Sequence, residues 1–99
     1  MRLTQSQQKT IKALSAEIFG PSAEVIVFGS RVDEAQRGGD IDLMITTKEP
    51  VERPTIMAAR LSARISQALD GRQLDVVLKA PSLKQQVIHE VAEHTGVRL

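Results

Sequence analysis

Cysteine is absent, so neither a disulfide nor a thiolate metal site can hold this chain together. Tryptophan and tyrosine are absent too, and two phenylalanines are the only aromatic residues. Proteins that grip single-stranded nucleic acid stack its bases on aromatic side chains, and that route is closed here. The electrostatic route is closed as well: 13 basic residues are balanced by 12 acidic ones, mixed along the chain, for a net charge of +1. Stable nucleic-acid binding by the chain alone is therefore not expected. Any base pocket must be lined mostly by aliphatic groups or completed by another chain. No apolar run approaches the roughly 20 residues needed to span a bilayer. The stretch from Met1 to Thr10 is polar and lacks the apolar centre of a secretory signal. These absences predict a cytoplasmic protein with no membrane contact.

Ninety-nine residues, 41% of them apolar, suit one domain spanning residues 1–99 with a modest core. Thr4-x-x-Gln7 has the pattern of a capping box, and Ile11, Leu14 and Ile18 continue it as a helical stripe ended by Gly20-Pro21. Val25 to Phe28 is a short β-branched run stopped by Gly29, the pattern of a buried strand. Ile41 to Thr46 reads as a second strand, and the stretch from Thr47 to Pro54, with two prolines, as a surface loop. A helix is expected over Thr55 to Leu69, with Met57, Leu61, Ile65 and Leu69 spaced by four and Gly71 as the stop. Gln73 to Lys79 reads as a third strand. Ser82-x-x-Gln85 is a second capping box, opening a last helix to about Glu93. The order predicts the α/β or α+β class, a short mixed sheet flanked by helices.

The chemistry concentrates between Phe28 and Ile45. Asp40 and Asp42 stand two apart at the start of a strand, so both point to one face, roughly 6–7 Å apart along it. Aspartate suits strands poorly, and two on one face repel. Asp75 repeats the anomaly among Leu74, Val76, Val77 and Leu78, and a buried or half-buried carboxylate needs a cation or strong donors. If the two strands pair, one face gathers three carboxylates with no basic residue in either strand core. A hard cation resolves this, because Mg²⁺ takes carboxylate oxygens together with the phosphates of a nucleotide. Two such ions about 3.5–4 Å apart stabilise both the attacking and the leaving oxygen of an in-line displacement. Gly29-Ser30 fits a phosphate cradle, the glycine admitting the backbone and the hydroxyl bonding phosphate oxygens.

Gly29-Ser30, Asp40-x-Asp42 and a single Asp75 in a later strand resemble the DNA polymerase β-like nucleotidyltransferase superfamily. The Gly-Ser-Arg-Val opening and the Gly-Gly-Asp-Ile-Asp-Leu core are similar to its minimal nucleotidyltransferases, the MNT proteins of antitoxin type. The resemblance runs from about residue 20 to residue 80, and the closing His-Thr-Gly-Val-Arg-Leu is in character. It implies the small nucleotidyltransferase fold and transfer of a nucleoside monophosphate, AMP from ATP, to a hydroxyl of a partner protein. Gly29 and Ser30 would hold the triphosphate, Asp40 and Asp42 would bind two Mg²⁺ ions, and Asp75 would complete the second metal and act as base. The implied partner is a HEPN-domain or other helical substrate-binding protein in a hetero-oligomer, the toxin of a toxin–antitoxin pair.

Other readings are left open or set aside. Arg31 either contacts phosphate, as a third nucleotide-binding residue, or pairs with Asp33 or Glu34. His89 and His94 are five apart, not the i, i+4 spacing of a helical zinc pair, and both are expected on the surface. Arg60 and Arg64 mark either a solvated helix face or a partner surface. An antitoxin that silently occludes its HEPN partner remains the alternative function, although the carboxylates and the Gly-Ser are all intact. Phosphatases of the haloacid-dehalogenase type also use Asp-x-Asp, but at the C-terminal end of a strand, whereas here the pair begins one.

Overall fold

The structure, a computed structural model, describes residues 3–28, 41–81, 83, 89, 92, 94 and 96–99. Its elements run α1 (Gln5–Phe19), β1 (Glu24–Phe28), β2 (Ile41–Thr46), α2 (Pro54–Ala68), β3 (Leu74–Lys79) and β4 (Val97–Arg98). The class is α+β, with a four-stranded mixed sheet in the order β3-β2-β1-β4.

The local signals act where the sequence puts them. Thr4 caps α1, accepting the Gln7 N–H at 3.0 Å while the Gln7 side chain accepts the Thr4 N–H at 2.9 Å. Gly20 closes the helix at a φ of 99°, a conformation that side chains with a Cβ rarely adopt. Helix α2 starts one residue earlier than its periodicity suggests, with Pro54 in its first turn, where a missing N–H costs nothing. Asp70 and Gly71 turn the chain with positive φ, and the Gly71 N–H returns to the Ser66 carbonyl at 2.7 Å.

Strand β1 pairs antiparallel with β2, and β2 pairs parallel with β3 across the α2 crossover. One sheet face carries Val25, Val27, Ile41, Leu43 and Ile45 and packs against Ile11, Leu61, Ile65 and Leu69 from the two helices. The other face carries Ile26, Phe28 and Met44, which pack with Ala92. Covering both faces explains why β1 reads as an unbroken apolar run rather than an alternating one. Strand β4 has no counterpart in the sequence reading. It pairs antiparallel with β1, setting Val97 beside Val27 and Arg98 beside Ile26. Arg98 also reaches Glu24 at 3.3 Å. His89, Ala92 and His94 have helical backbone, in keeping with the expected last helix, while Ser82 and Gln85 of its capping box lie outside the described residues. No helix among the described residues is long and apolar enough to cross a membrane.

Candidate functional site

Strand β1 ends where β2 and β3 begin, so one end of the sheet collects the close of one strand and the starts of two others. Residues 29–40 join β1 to β2 at that end. The start of β3 is tied down twice: the Ile41 N–H donates to the Gln73 carbonyl at 3.1 Å, and the Ser62 hydroxyl of α2 donates to the Leu74 carbonyl at 3.3 Å. The register this sets makes Phe28 the partner of Asp42 and Asp42 the partner of Asp75. The three residues form a row across β1, β2 and β3. Side chains at paired positions share a face, and neighbouring strands lie about 4.8 Å apart. Asp42 and Asp75 are therefore adjacent on the face that carries Phe28 and Met44, opposite the α1–α2 layer.

Strand pairing thus brings together two of the three expected carboxylates. Asp40 precedes Ile41 directly in the chain but lies outside the described residues, as do Gly29, Ser30 and Arg31. Among the described residues no three of His, Asp or Glu gather closely enough to hold a metal ion. The donor set nevertheless has the chemistry Mg²⁺ selects, since it offers carboxylate oxygens and neither imidazole nor sulfur. Exposure differs between the two strands. Asp42 is half-buried on the central β2, whereas Asp75 is exposed at the start of the edge strand β3. The expected burial is found in part for Asp42, and for Asp75 the expectation of a buried or half-buried carboxylate needs correction. An edge position leaves one flank of the residue open to water, and its register neighbour on β2 is the like-charged Asp42.

That neighbour gives a measurable consequence. Like charges side by side on adjacent strands destabilise a sheet, by up to about 1 kcal/mol. Asp75→Asn removes one charge and keeps the shape, so in metal-free buffer near pH 7 the variant should melt a few degrees above the wild type. A thermal scan with chelator present checks this. A lower melting temperature in Asp75→Asn would make Asp75 a structural hydrogen-bonding residue.

A second correction concerns His89. Expected on the surface, it is only 3% exposed. It stands three residues before the buried Ala92, so both fall on the inner side of the helical segment, with His89 at the β3 edge of the sheet. It lines a hollow of about 390 Å³ with Pro54, Ala58, Val76 and Leu83. The i, i+3 relation to Ala92 was the available signal. His94 is exposed, as expected. A second hollow, also about 390 Å³, lies between α1 and α2 and includes Arg60 and Arg64. Neither hollow contains the acid pair, so the candidate site is the carboxylate face rather than a hollow.

The geometry has a family behind it. A model of the nucleotidyltransferase domain matches residues 8–96, nearly the whole chain, and the chain belongs to that family. Its fold is that of the MNT proteins. A chain of the complex of tri-AMPylated Shewanella oneidensis HEPN toxin with MNT antitoxin is similar at a TM-score of 0.71 and 20% identity, over 97% of this chain and 71% of that one. A chain of a mutant toxin–antitoxin MntA-HpeT, with two aspartates changed to glutamate, is similar at a TM-score of 0.69 and 20% identity, over 93% of this chain and 70% of that one. No curated protein matches.

Proposed function

We propose that this chain is a Mg²⁺-dependent nucleotidyltransferase that moves AMP from ATP onto a hydroxyl of a HEPN-domain partner, as the antitoxin of a HEPN/MNT pair. The observation that carries the reading is the Asp42–Asp75 pairing at the end of the sheet where Gly29-Ser30 follows β1, in a chain of the nucleotidyltransferase domain family. The solved complex that shares its fold supports the acceptor class, since the HEPN toxin there carries AMP and is bound to an MNT antitoxin.

In this reading Asp40, Asp42 and Asp75 hold two Mg²⁺ ions, which supply positive charge to the phosphate oxygens when bound. Gly29 and Ser30 offer backbone N–H groups and a hydroxyl to the triphosphate, and the Arg31 guanidinium adds a charged donor. Asp75 accepts the proton of the acceptor hydroxyl. The freed oxygen forms a bond to the α-phosphorus, the bond from that phosphorus to the bridging oxygen breaks, and pyrophosphate leaves with the electron pair. The exposure of Asp75 suits a base that must meet a group arriving from another protein. The described residues offer carboxylates on one side of the sheet and, among them, none placed to hold the attacking hydroxyl. Positioning contributes much of the rate in such transfers, so the partner must bring its hydroxyl into place by docking.

The test is the intact mass of the HEPN-domain protein encoded beside this chain, after incubation with this protein, Mg²⁺ and each NTP in turn. A gain of one or more AMP units on a tyrosine, absent with Asp40→Ala, is the expected result. Tight binding with no mass change under any NTP would leave the silent, occluding antitoxin as the better account.

A further inference from the structure

The α1–α2 layer carries a surface that the transfer chemistry does not use. Ile56 is 54% exposed, the one large apolar side chain so exposed among the described residues. It stands on α2 in a row with Arg53, Met57, Arg60 and Arg64, spaced by three, four, seven and eleven from the first, which is one helix face. That face forms one wall of the 390 Å³ groove, and Glu17 and Ile18 of α1 form the other. The groove continues past Ile18, Met57 and Glu52 into a smaller hollow of about 240 Å³ that reaches Phe19 and Val51. An apolar floor with a charged rim is the usual make-up of a protein-recognition groove.

The charges choose the occupant. Arg64 is already paired with Glu17 at 3.3 Å. Arg53 and Arg60, on either side of Ile56 and Met57, make no ion pair among the described residues, and beyond the paired Glu17 the larger hollow has only the Glu52 carboxylate, while Glu49 and Lys48 of the smaller one offset each other. A second copy laid row on row would bring its own Arg53 and Arg60 to the contact, so that unpaired guanidinium groups outnumber the Glu52 carboxylates available to them. A helix that presents an apolar residue between carboxylates satisfies both Ile56 and the two arginines.

We infer that the groove between α1 and α2 is the docking site for an acidic amphipathic helix of the partner protein, with Ile56 as apolar anchor and Arg53 and Arg60 as flanking charges. The inference rests on the proposed HEPN partnership and adds its location. Because α1 and α2 cover the sheet face opposite Asp42 and Asp75, docking and chemistry use opposite sides of the sheet. A partner held by its helix at the groove leaves the carboxylates open, so a hydroxyl on another part of the same partner, or on a second partner subunit, can reach them.

The experiment measures affinity by calorimetry between the HEPN-domain protein encoded beside this chain and wild type, Ile56→Glu, Arg60→Glu and Asp42→Ala. Ile56→Glu and Arg60→Glu should each weaken binding at least about 30-fold, as loss of an interface anchor does. Asp42→Ala should bind like wild type. Raising salt from low to high should weaken wild type more than Arg60→Glu, because the charge attraction it screens is missing in the variant. Both groove positions are exposed, and unchanged melting temperatures would exclude unfolding as the cause. Wild-type affinity in Ile56→Glu and Arg60→Glu would overturn the groove while leaving the partnership standing. No binding by wild type would overturn the partnership and the groove with it. A chain that dimerises on its own, with Ile56→Glu monomeric, would assign the groove to a second copy and overturn the inference.

Discussion

Under the proposed function, Asp42→Ala should reduce nucleotidyl transfer to background, a loss of roughly 10³-fold or more, as expected when several kcal/mol of charge stabilisation at the phosphorus is removed. Asp42 is the middle of the row Phe28–Asp42–Asp75, so its side chain is the one adjacent to both other strands. If the proposed cation sits at that end of the sheet, Asp42 is the described carboxylate that stands between β1 and β3. The loss should not come from unfolding. Ala is a modest strand residue, the measured scale spans only about 1 kcal/mol, and Asp42 belongs to neither apolar cluster. The check is an initial rate with labelled ATP alongside a thermal melt of the same sample. Asp40→Ala and Asp75→Ala should behave alike. Near-normal turnover in Asp42→Ala with an intact fold would end the two-metal assignment.

What the sequence revealed about this site, and what it hid, follow from the range of the interactions. The alternation Ile41-Asp42-Leu43 fixes which face Asp42 takes, and the apolar neighbours of Asp75 mark a strand, so two carboxylates on strands are readable from local pattern alone. That the two strands are neighbours, parallel and in a register that sets Asp42 beside Asp75, depends on α2 packing back across the sheet, a contact between distant parts of the chain. Local pattern does not carry the exposure of Asp75 either, because it cannot tell an edge strand from a central one. Strand β4 is not legible in the sequence because two residues have no periodicity. It exists through pairing with Ile26 and Val27. The burial of His89 is not legible locally, because a polar residue on a helix reads as solvent-facing until the packing of that segment against β3 and α2 is known. The family resemblance drew its strength from Gly29, Ser30 and Asp40, which lie outside the described residues, whereas Asp42 and Asp75 can be read from sequence and structure alike.

The closure of the sheet should be as sensitive as its chemistry, and Gly96 is where it breaks. Gly96 links the helical segment containing Ala92 to β4, and its N–H donates to the Ala92 carbonyl at 2.8 Å. A Cβ built on Gly96 would press on the Ile26 side chain and on the Ala92 carbonyl oxygen closer than real Cβ atoms come, and would sit 3.0 Å from the Val27 carbonyl oxygen. The Ile26 methyl could swing aside. The two carbonyls belong to backbone that is fixed by the helical segment and by β1, so the relief must come from pulling β4 off the sheet. Overpacking of this kind costs about 1–3 kcal/mol and sometimes more. For a domain of this size each kcal/mol lowers the melting temperature by about 4–8 °C. Gly96→Ala should therefore melt roughly 5–20 °C below wild type, and Gly96→Val lower still. Gly20→Ala separates crowding from backbone strain. Gly20 has a φ of 99° and a ψ of 159° but nothing within 4 Å of an added Cβ, so its variant bears only the conformational cost of a region held almost entirely by glycine, about 1–3 kcal/mol. Gly20→Ala and Gly96→Ala should both melt below wild type, and Gly96→Val should melt lowest of all. Because β1 carries Phe28 beside Asp42, loosening β4 should also reduce transfer at temperatures well below the melt. A Gly96→Ala protein that melts with wild type would mean that Ala92 and β4 do not close on β1 as tightly as this packing requires.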